Sequence, residues 1–450
     1  MGRRKIVIIG GGSVSWAPML VKDLVMTNPL HDAEYVLYDI DKKASDFTKK
    51  VCDRIIADER MIDLPRKPKI VSTDNLKKAF SGADYFIITI TTGGLKAIKP
   101  DLMIPEEYGI YHSVGDTCGP AAWARILRNF DTFAGIAEAA NRYAPGAMIL
   151  NYSNPMTSLT DMLARVSHGP VMGLCHALHA NVNFITDHYN VSREEVAIKF
   201  AGLNHFYWIT EARAGGVDVI ADLKRKLKRC TFDDLGADIS KAGGEFHRGC
   251  RIATELFRFT GVMPYLGDRH TCEFFPHYIT NRRNMKKYNV GRWNKHIKTR
   301  PQRVAVIQRN GKKLLTEKLP DIYFELSRES AASIIQSHIL NLDFCDIGNL
   351  PNTGQISNLP EGTVVETAAI VNSNGFTPVN FGELPAPVLG LVEPWAKVLT
   401  MVVDACFNKD KDQAMVALRL DPLCSHLTTD QVEEIGHRLL KANRNYLTVF

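Results

Sequence analysis

The chain has 450 residues, more than one ordinary hydrophobic core accommodates, and its length predicts two domains packed closely together. With 45% hydrophobic and 23% charged residues it has the make-up of a soluble enzyme. No apolar run reaches the roughly 18–20 residues of a membrane span, and a net charge of +6 over this length argues against a nucleic-acid partner.

The first segment, KIVII (5–9), reads as a short buried strand. Basic residues precede it, but the apolar run is too short for a signal peptide and a glycine turn follows it. The nine cysteines are odd in number and lack a disulfide-like spacing, so they predict reduced thiols in the cytoplasm. After the turn, APMLVKDLVMT has helical spacing, and EYVLYDID (34–41) is a second strand ending in acids. A helix is expected over about 41–60, a strand at ADYFIITIT (83–91), a helix over 120–143, and further strands at AMILNYSNP (147–155) and PVMGLCH (170–176). Strands alternating with helices predict a parallel, doubly wound Rossmann-type sheet over residues 1–200. Polar residues at the carboxyl ends of its strands would line the ligand crevice.

Beyond residue 200 the pattern changes. FAGLNHFYWITEARAGGVDVI predicts antiparallel strands with a Gly-Gly turn. Residues 221–262 and 325–342 read as mainly helical, NLPEGTVVETAAIVNSNG as strands, and the last 60 residues as helical. This gives an α+β second domain over 201–450, packed tightly on the first without a linker. The basic clusters LKRKLKRC (223–230) and NRRNMKKY (281–288) read as solvated helix faces or rims of an anion site.

In GGGSVSW, Gly10 and Gly12 follow a strand and precede a helix, with Ser13 beside them and Ser15 in place of a third glycine. Such a turn lets backbone approach a pyrophosphate, and the helix N-terminus favours its charge. Asp39, at the end of the second strand, would accept hydrogen bonds from the adenosine ribose, which favours NAD over NADP. The other reading is a glycine turn in an unrelated α/β fold.

Four segments carry candidate chemistry: GDTCGPAAWAR (115–125), NYSNPM (151–156), GLCHALH (173–179) and GLNHF (202–206). In this order, with LPNTGQISNLPEGTVVE (350–366), they resemble glycoside hydrolase family 4, the NAD- and divalent-metal-dependent glycosidases. The resemblance runs along nearly the whole chain. It is closest to the α-galacturonidase members around GLNHFYWIT, GDRH and PNTGQ. Ordinary glycosidases place two carboxylates across the scissile bond, and the NAD-dependent family is an exception. The resemblance implies oxidation of the sugar at C3, loss of the now acidic C2 proton, departure of the C1 leaving group, addition of water and return of the hydride. It implies NAD and Mn²⁺ or another divalent cation as cofactors, and a homodimer or homotetramer.

Residue by residue, the resemblance places metal ligands at Cys175 and His205, although a thiolate by itself suits softer metals than Mn²⁺. His176 falls where some relatives carry an aspartate proposed as general acid; as a histidine it could donate a proton or simply hydrogen-bond the sugar. Asn154 matches a sugar-contacting position on the cofactor side, with Asn151 beside it; turn capping before Pro155 is the alternative. For the C2 base, Tyr265, Asp268 and His270 are equal candidates. Asp116 would position substrate or metal-bound water, or cap the following helix. Arg269 could fork onto a uronate carboxylate, or be a structural arginine. His179 reads as scaffold, and Ala177-Leu178 matches no recognised subgroup. The expected activity is hydrolysis of α-D-galacturonides. The alternatives are an α-galactosidase, α-glucosidase or α-glucuronidase of the same family, an NAD-dependent hydroxy-acid dehydrogenase, and a non-enzymatic NAD sensor.

Overall fold

The computed structural model describes residues 3–62, 66–237, 250–290 and 293–447, except the side chains of 293–300 and 303. Six parallel strands form one half of the sheet: β1 (Lys5–Ile9), β2 (Glu34–Tyr38), β3 (Lys69–Thr73), β4 (Tyr85–Ile88), β5 (Met148–Asn151) and β6 (Val171–Gly173). Their order is β3-β2-β1-β4-β5-β6, the doubly wound arrangement that the alternation of strands and helices predicts. The central strands KIVII, YFII and MILN are apolar along their length because helices cover both faces of a parallel sheet. β2 stops at Tyr38, so Asp39 stands just past its end, at the crevice.

The sheet does not end at β6. It continues through antiparallel strands from the second half: β7 (Val196–Leu203), β8 (Phe206–Ala214), β9 (Val217–Asp218), β10 (Met263–Pro264), β11 (Phe344–Pro351), β12 (Val364–Asn372) and β13 (Gly375–Pro378). The path from the parallel half is β6-β11-β12-β7-β8-β10. The expected division at residue 200 therefore falls inside β7, and the two halves share one 13-stranded sheet. β7 and β8 meet in a two-residue turn, with Leu203 opposite Phe206 and only Asn204 and His205 between them.

Helices complete the layers. The expected helix over 120–143 is Gly119–Tyr143, and that over 325–342 shortens to Ala331–Leu340. Of the region 221–262, Val219–Lys226 and Arg251–Thr260 are helical, while 238–249 lies outside the described residues. β11 and the helix Trp293–Thr316 have no counterpart in the sequence expectation. Aspartate and asparagine interrupt the alternation of the first, and Pro301 lies inside the second. The C-terminal helices Ala386–Asn408, Lys411–Leu420 and Thr429–Asn443 fold back over the first half. Contrary to the sequence expectation, Ala386–Asn408 is long and apolar enough to cross a membrane. Here it is a core helix: Val392, Trp395, Leu399 and Val403 are buried, and the Trp395 indole donates to the Phe274 carbonyl. The Trp123 indole likewise donates to the Ala414 carbonyl, joining the first half to the C-terminal helices.

Candidate active site

The glycine turn is held by β2. The amides of Gly10 and Gly11 both donate to the Tyr38 carbonyl, at 3.0 and 2.9 Å. Gly10 has φ +94°, and a Cβ there would lie 2.7 Å from the Thr89 carbonyl oxygen. At Gly12 a Cβ would fall 2.7 Å from the Asp39 carboxylate, which accepts the Gly12 amide at 2.8 Å. Both glycines are thus required by close approach. Ser13 closes the turn through its amide to the Gly10 carbonyl, before the helix Ala17–Met26 begins. Asp39 also accepts from the Asp41 amide, which fixes its carboxylate at the edge of the crevice.

At the carboxyl ends of β5 and β6, four of the candidate residues have distinct settings. Asn151 is fully buried; its oxygen accepts the Ser153 amide and its nitrogen donates to Thr160. The side chain thus holds its own loop, which weighs against a sugar contact. Asn154 is half-buried and accepts the Met156 amide at 3.2 Å, at the start of the helix Met156–Val166. Cys175 follows β6 and is hydrogen-bonded by Asn204; burial, reinforced by Glu366, pushes its thiol well up. The adjacent His176 is exposed, and its Nδ1 stands 3.6 Å from Glu329 Oε1. Burial raises the Glu329 carboxyl, which also bonds Tyr152.

His205 occupies the β7–β8 turn in a left-handed conformation, φ +60°. For a residue other than glycine this costs about 1–2 kcal/mol, and such strain collects at functional sites. Thr117 donates its hydroxyl hydrogen to Asp116 at 3.0 Å and lies 2.9 Å from His205 Nδ1. With that hydrogen committed, Nδ1–H of His205 is the donor to Thr117, and the ring's lone pair lies on Nε2. The ring of His270 lies 3.9 Å from that of His205, and its Nδ1 is 3.7 Å from Asp116. Ligand atoms of Asp116, His205 and His270 all fall within 4.8 Å of one another, the metal-capable cluster among the described residues.

The GDRH segment separates into unlike roles. Asp268 is fully buried and accepts the Ile252 and Ala253 amides at 2.8 and 3.0 Å, the orphan donors at the start of the helix Arg251–Thr260. Its carboxylate caps that helix, which weighs against it as the C2 base. Arg269 commits Nε and one terminal nitrogen to the hydroxyl and carbonyl of Ser113. One turn on, Glu273 accepts the amides of Val114 and Gly115 and contacts His112. Together they fix the loop that presents Asp116, so the geometry supports a positioning arginine rather than an open carboxylate fork. Tyr265 is buried beside this cluster, its ring 6.1 Å from His205 and stacked on it. A Cβ on Gly267 would lie 2.5 Å from the Tyr265 hydroxyl oxygen, so only glycine leaves room for that ring. Burial, and then the nearby Cys175 and Glu366, hold the phenol well above its usual range.

The comparisons with known proteins follow the same residues. Residues 5–191 match the family 4 glycosyl hydrolase model, and residues 200–424 match its C-terminal domain. The chain belongs to the family 4 glycosyl hydrolases. Among family 4 relatives, an alpha-galacturonidase from Bacillus subtilis is 32% identical, over 93% of both chains. A solved Bacillus subtilis structure, lplD, assigned as a glucosidase, superposes with a TM-score of 0.84 at 29% identity, covering 98% of this chain and 100% of the other. A Thermotoga maritima 6-phospho-beta glucosidase, solved with manganese, NAD⁺ and glucose-6-phosphate, shares the fold with a TM-score of 0.79 at 22% identity, covering 99% of each chain. Beside the candidate residues stand three buried or half-buried glutamates to which the sequence reading gave no role: Glu273, Glu329 and Glu366. Glu366 stands in the VVETAAIV run, where a carboxyl inside an apolar strand was the available signal.

His179 sits in the first turn of the helix Leu178–Tyr189, consistent with a scaffold role. Burial, reinforced by Arg193, lowers its pKa from 6.5 to about 4. Because the folded value is depressed, the unfolded chain binds the extra proton and stability falls as pH drops from about 7 towards 4. Between pH 7 and 5 the wild-type chain is expected to lose about 2 kcal/mol more unfolding free energy than His179→Gln. Denaturant titration at both values checks this; equal losses would remove His179 as the cause.

Proposed function

We propose that this family 4 enzyme hydrolyses α-D-galacturonides, using NAD⁺ and a divalent cation such as Mn²⁺. The observation that carries the substrate is the likeness to alpha-galacturonidases along almost the whole chain. The residues present fit both cofactors. The Gly10–Gly12 cradle, which a Cβ would fill, suits a pyrophosphate, and Asp39 stands where a ribose would lie. His205 would hold the cation, with Asp116 and His270 in the same cluster; Cys175 lies outside that cluster, and its place as the second ligand is what the family resemblance implies; imidazole and carboxylate donors suit a divalent metal. When bound, these groups supply hydride acceptance from C3 and polarisation of the C3 oxygen.

The chain's own residues supply the proton transfers. With Asp268 spent as a cap and His270 within the metal-capable cluster, Tyr265 is the group to take the C2 proton, doing so as its phenolate, the form that a cation held by the neighbouring cluster would favour over the buried phenol. The C2–H electrons form the C1–C2 double bond as the C1–O bond breaks. His176, oriented by Glu329, gives a proton to the departing oxygen. Asn154, between β5 and the helix Met156–Val166, would contact the sugar. The nine unpaired cysteines support a cytoplasmic setting.

Digalacturonate incubated in D₂O with NAD⁺ and Mn²⁺ is expected to release galacturonate carrying deuterium at C2, without net NADH. Product lacking C2 deuterium would sink the elimination route. Faster cleavage of a neutral nitrophenyl α-galactoside would sink the uronide.

A further inference from the structure

Glu366 lies in mid-sheet on β12, opposite Asn349 of β11 on one side and Gly202 of β7 on the other. Its side chain is fully buried and has no cationic partner among its described contacts; it accepts the amides of Asn204 and Asn349, each at 2.9 Å, on the same oxygen. A carboxyl in this setting is costly, and an apolar residue of similar size would ordinarily serve a core strand better. Burial raises its pKa to about 7. The two amides lead to two places. Asn204 is hydrogen-bonded to Cys175 and immediately precedes His205 in the strained turn. Asn349 donates also to the Gly173 carbonyl, at 3.4 Å, two residues before Cys175. The second carboxylate oxygen and the side-chain oxygens of both asparagines are buried without a hydrogen-bond partner, so the hub is not saturated by the fold alone.

We infer that Glu366 is a positioning residue that, through Asn204 and Asn349, sets the thiol of Cys175 and the imidazole of His205 in register for one metal ion. It touches neither sugar nor cofactor. It clamps the end of β6 and the β7–β8 turn to one point of β12, so the two ligand-bearing segments, which come from opposite halves of the sheet, share a single anchor. This inference rests on Cys175 and His205 being the ligands, as proposed above.

Co²⁺ is the probe, because a cobalt–thiolate bond gives a charge-transfer band in the absorption spectrum independently of turnover. Wild-type enzyme titrated with Co²⁺ is expected to develop the band, and Cys175→Ser to lack it. Glu366→Leu is expected to bind Co²⁺ about 10–100-fold more weakly, the usual cost of losing an outer-shell partner. Glu366→Gln, whose carbonyl oxygen can still accept both amides, is expected to restore most of that loss. Thermal unfolding without metal reports whether each variant folds; if Glu366→Leu does not, Asn204→Ala carries the test with the same expected weakening. A folded Glu366→Leu, or in its place Asn204→Ala, with wild-type affinity and band overturns the positioning role alone. A wild-type enzyme without the band, or a band that survives Cys175→Ser, overturns the ligand reading and this inference with it.

Discussion

Replacing His205 by asparagine is expected to abolish metal-dependent hydrolysis, lowering kcat/KM on the order of 1000-fold, since Lewis-acid stabilisation contributes several kcal/mol to the barrier. Asparagine is the informative choice. It tolerates the left-handed backbone that the β7–β8 turn imposes at φ +60°, whereas alanine would add strain to ligand loss. Asparagine cannot reproduce the Nε2 lone pair that the Asp116–Thr117–His205 chain sets. Mn²⁺ binding, followed by the disappearance of the free-ion resonance, should weaken in parallel while the unfolding temperature stays close to wild type. Undiminished activity in His205→Asn at saturating Mn²⁺ would show that the ion, if used, is held elsewhere.

The second large effect is expected at Tyr265. Removing only its hydroxyl, in Tyr265→Phe, should lower kcat by roughly 10²–10⁴-fold, the usual contribution of general acid–base catalysis. The ring remains and continues to fill the space left by Gly267 and to stack on His205, so folding and metal affinity should change little. Exchange of the C2 hydrogen with solvent should fall with turnover. A variant that keeps more than about a tenth of wild-type kcat lies outside that range and returns the base to His270 or to water.

Much of the fold was legible because its signals are local. Apolar runs of four or five residues closed by glycine or polar residues mark β1, β2, β4 and β5, and the crevice follows from where those runs stop. β11 was not legible: Asp346 and Asn349 break its pattern, Asn349 being buried against Gly173 and Glu366 on the strands beside it and Asp346 half-buried against Ser330. The site shows the same limit. The resemblance singled out GDRH but could not rank its members. In a helical turn, residues two apart point about 200° from each other, so Asp268 faces the next helix while His270 faces His205. Arg269 looked like a sugar ligand because its chemistry allows it; Ser113, from the other half of the chain, gives it another task. Glu273, Glu329 and Glu366 went unread because an isolated glutamate has no spacing to betray it.

The shared sheet has a mechanical consequence. A cofactor half and a sugar half that were separate bodies could open like a pair of jaws around a substrate. Here the same rotation would have to tear the ladder that runs from β6 through β11 and β12 to β7, the strands whose ends carry the site. The crevice is therefore a mould of fixed width, and entry of a sugar depends on loops and side chains at its rim. Discrimination between one sugar and another can then be rewritten at those rim positions while the backbone beneath them stays still.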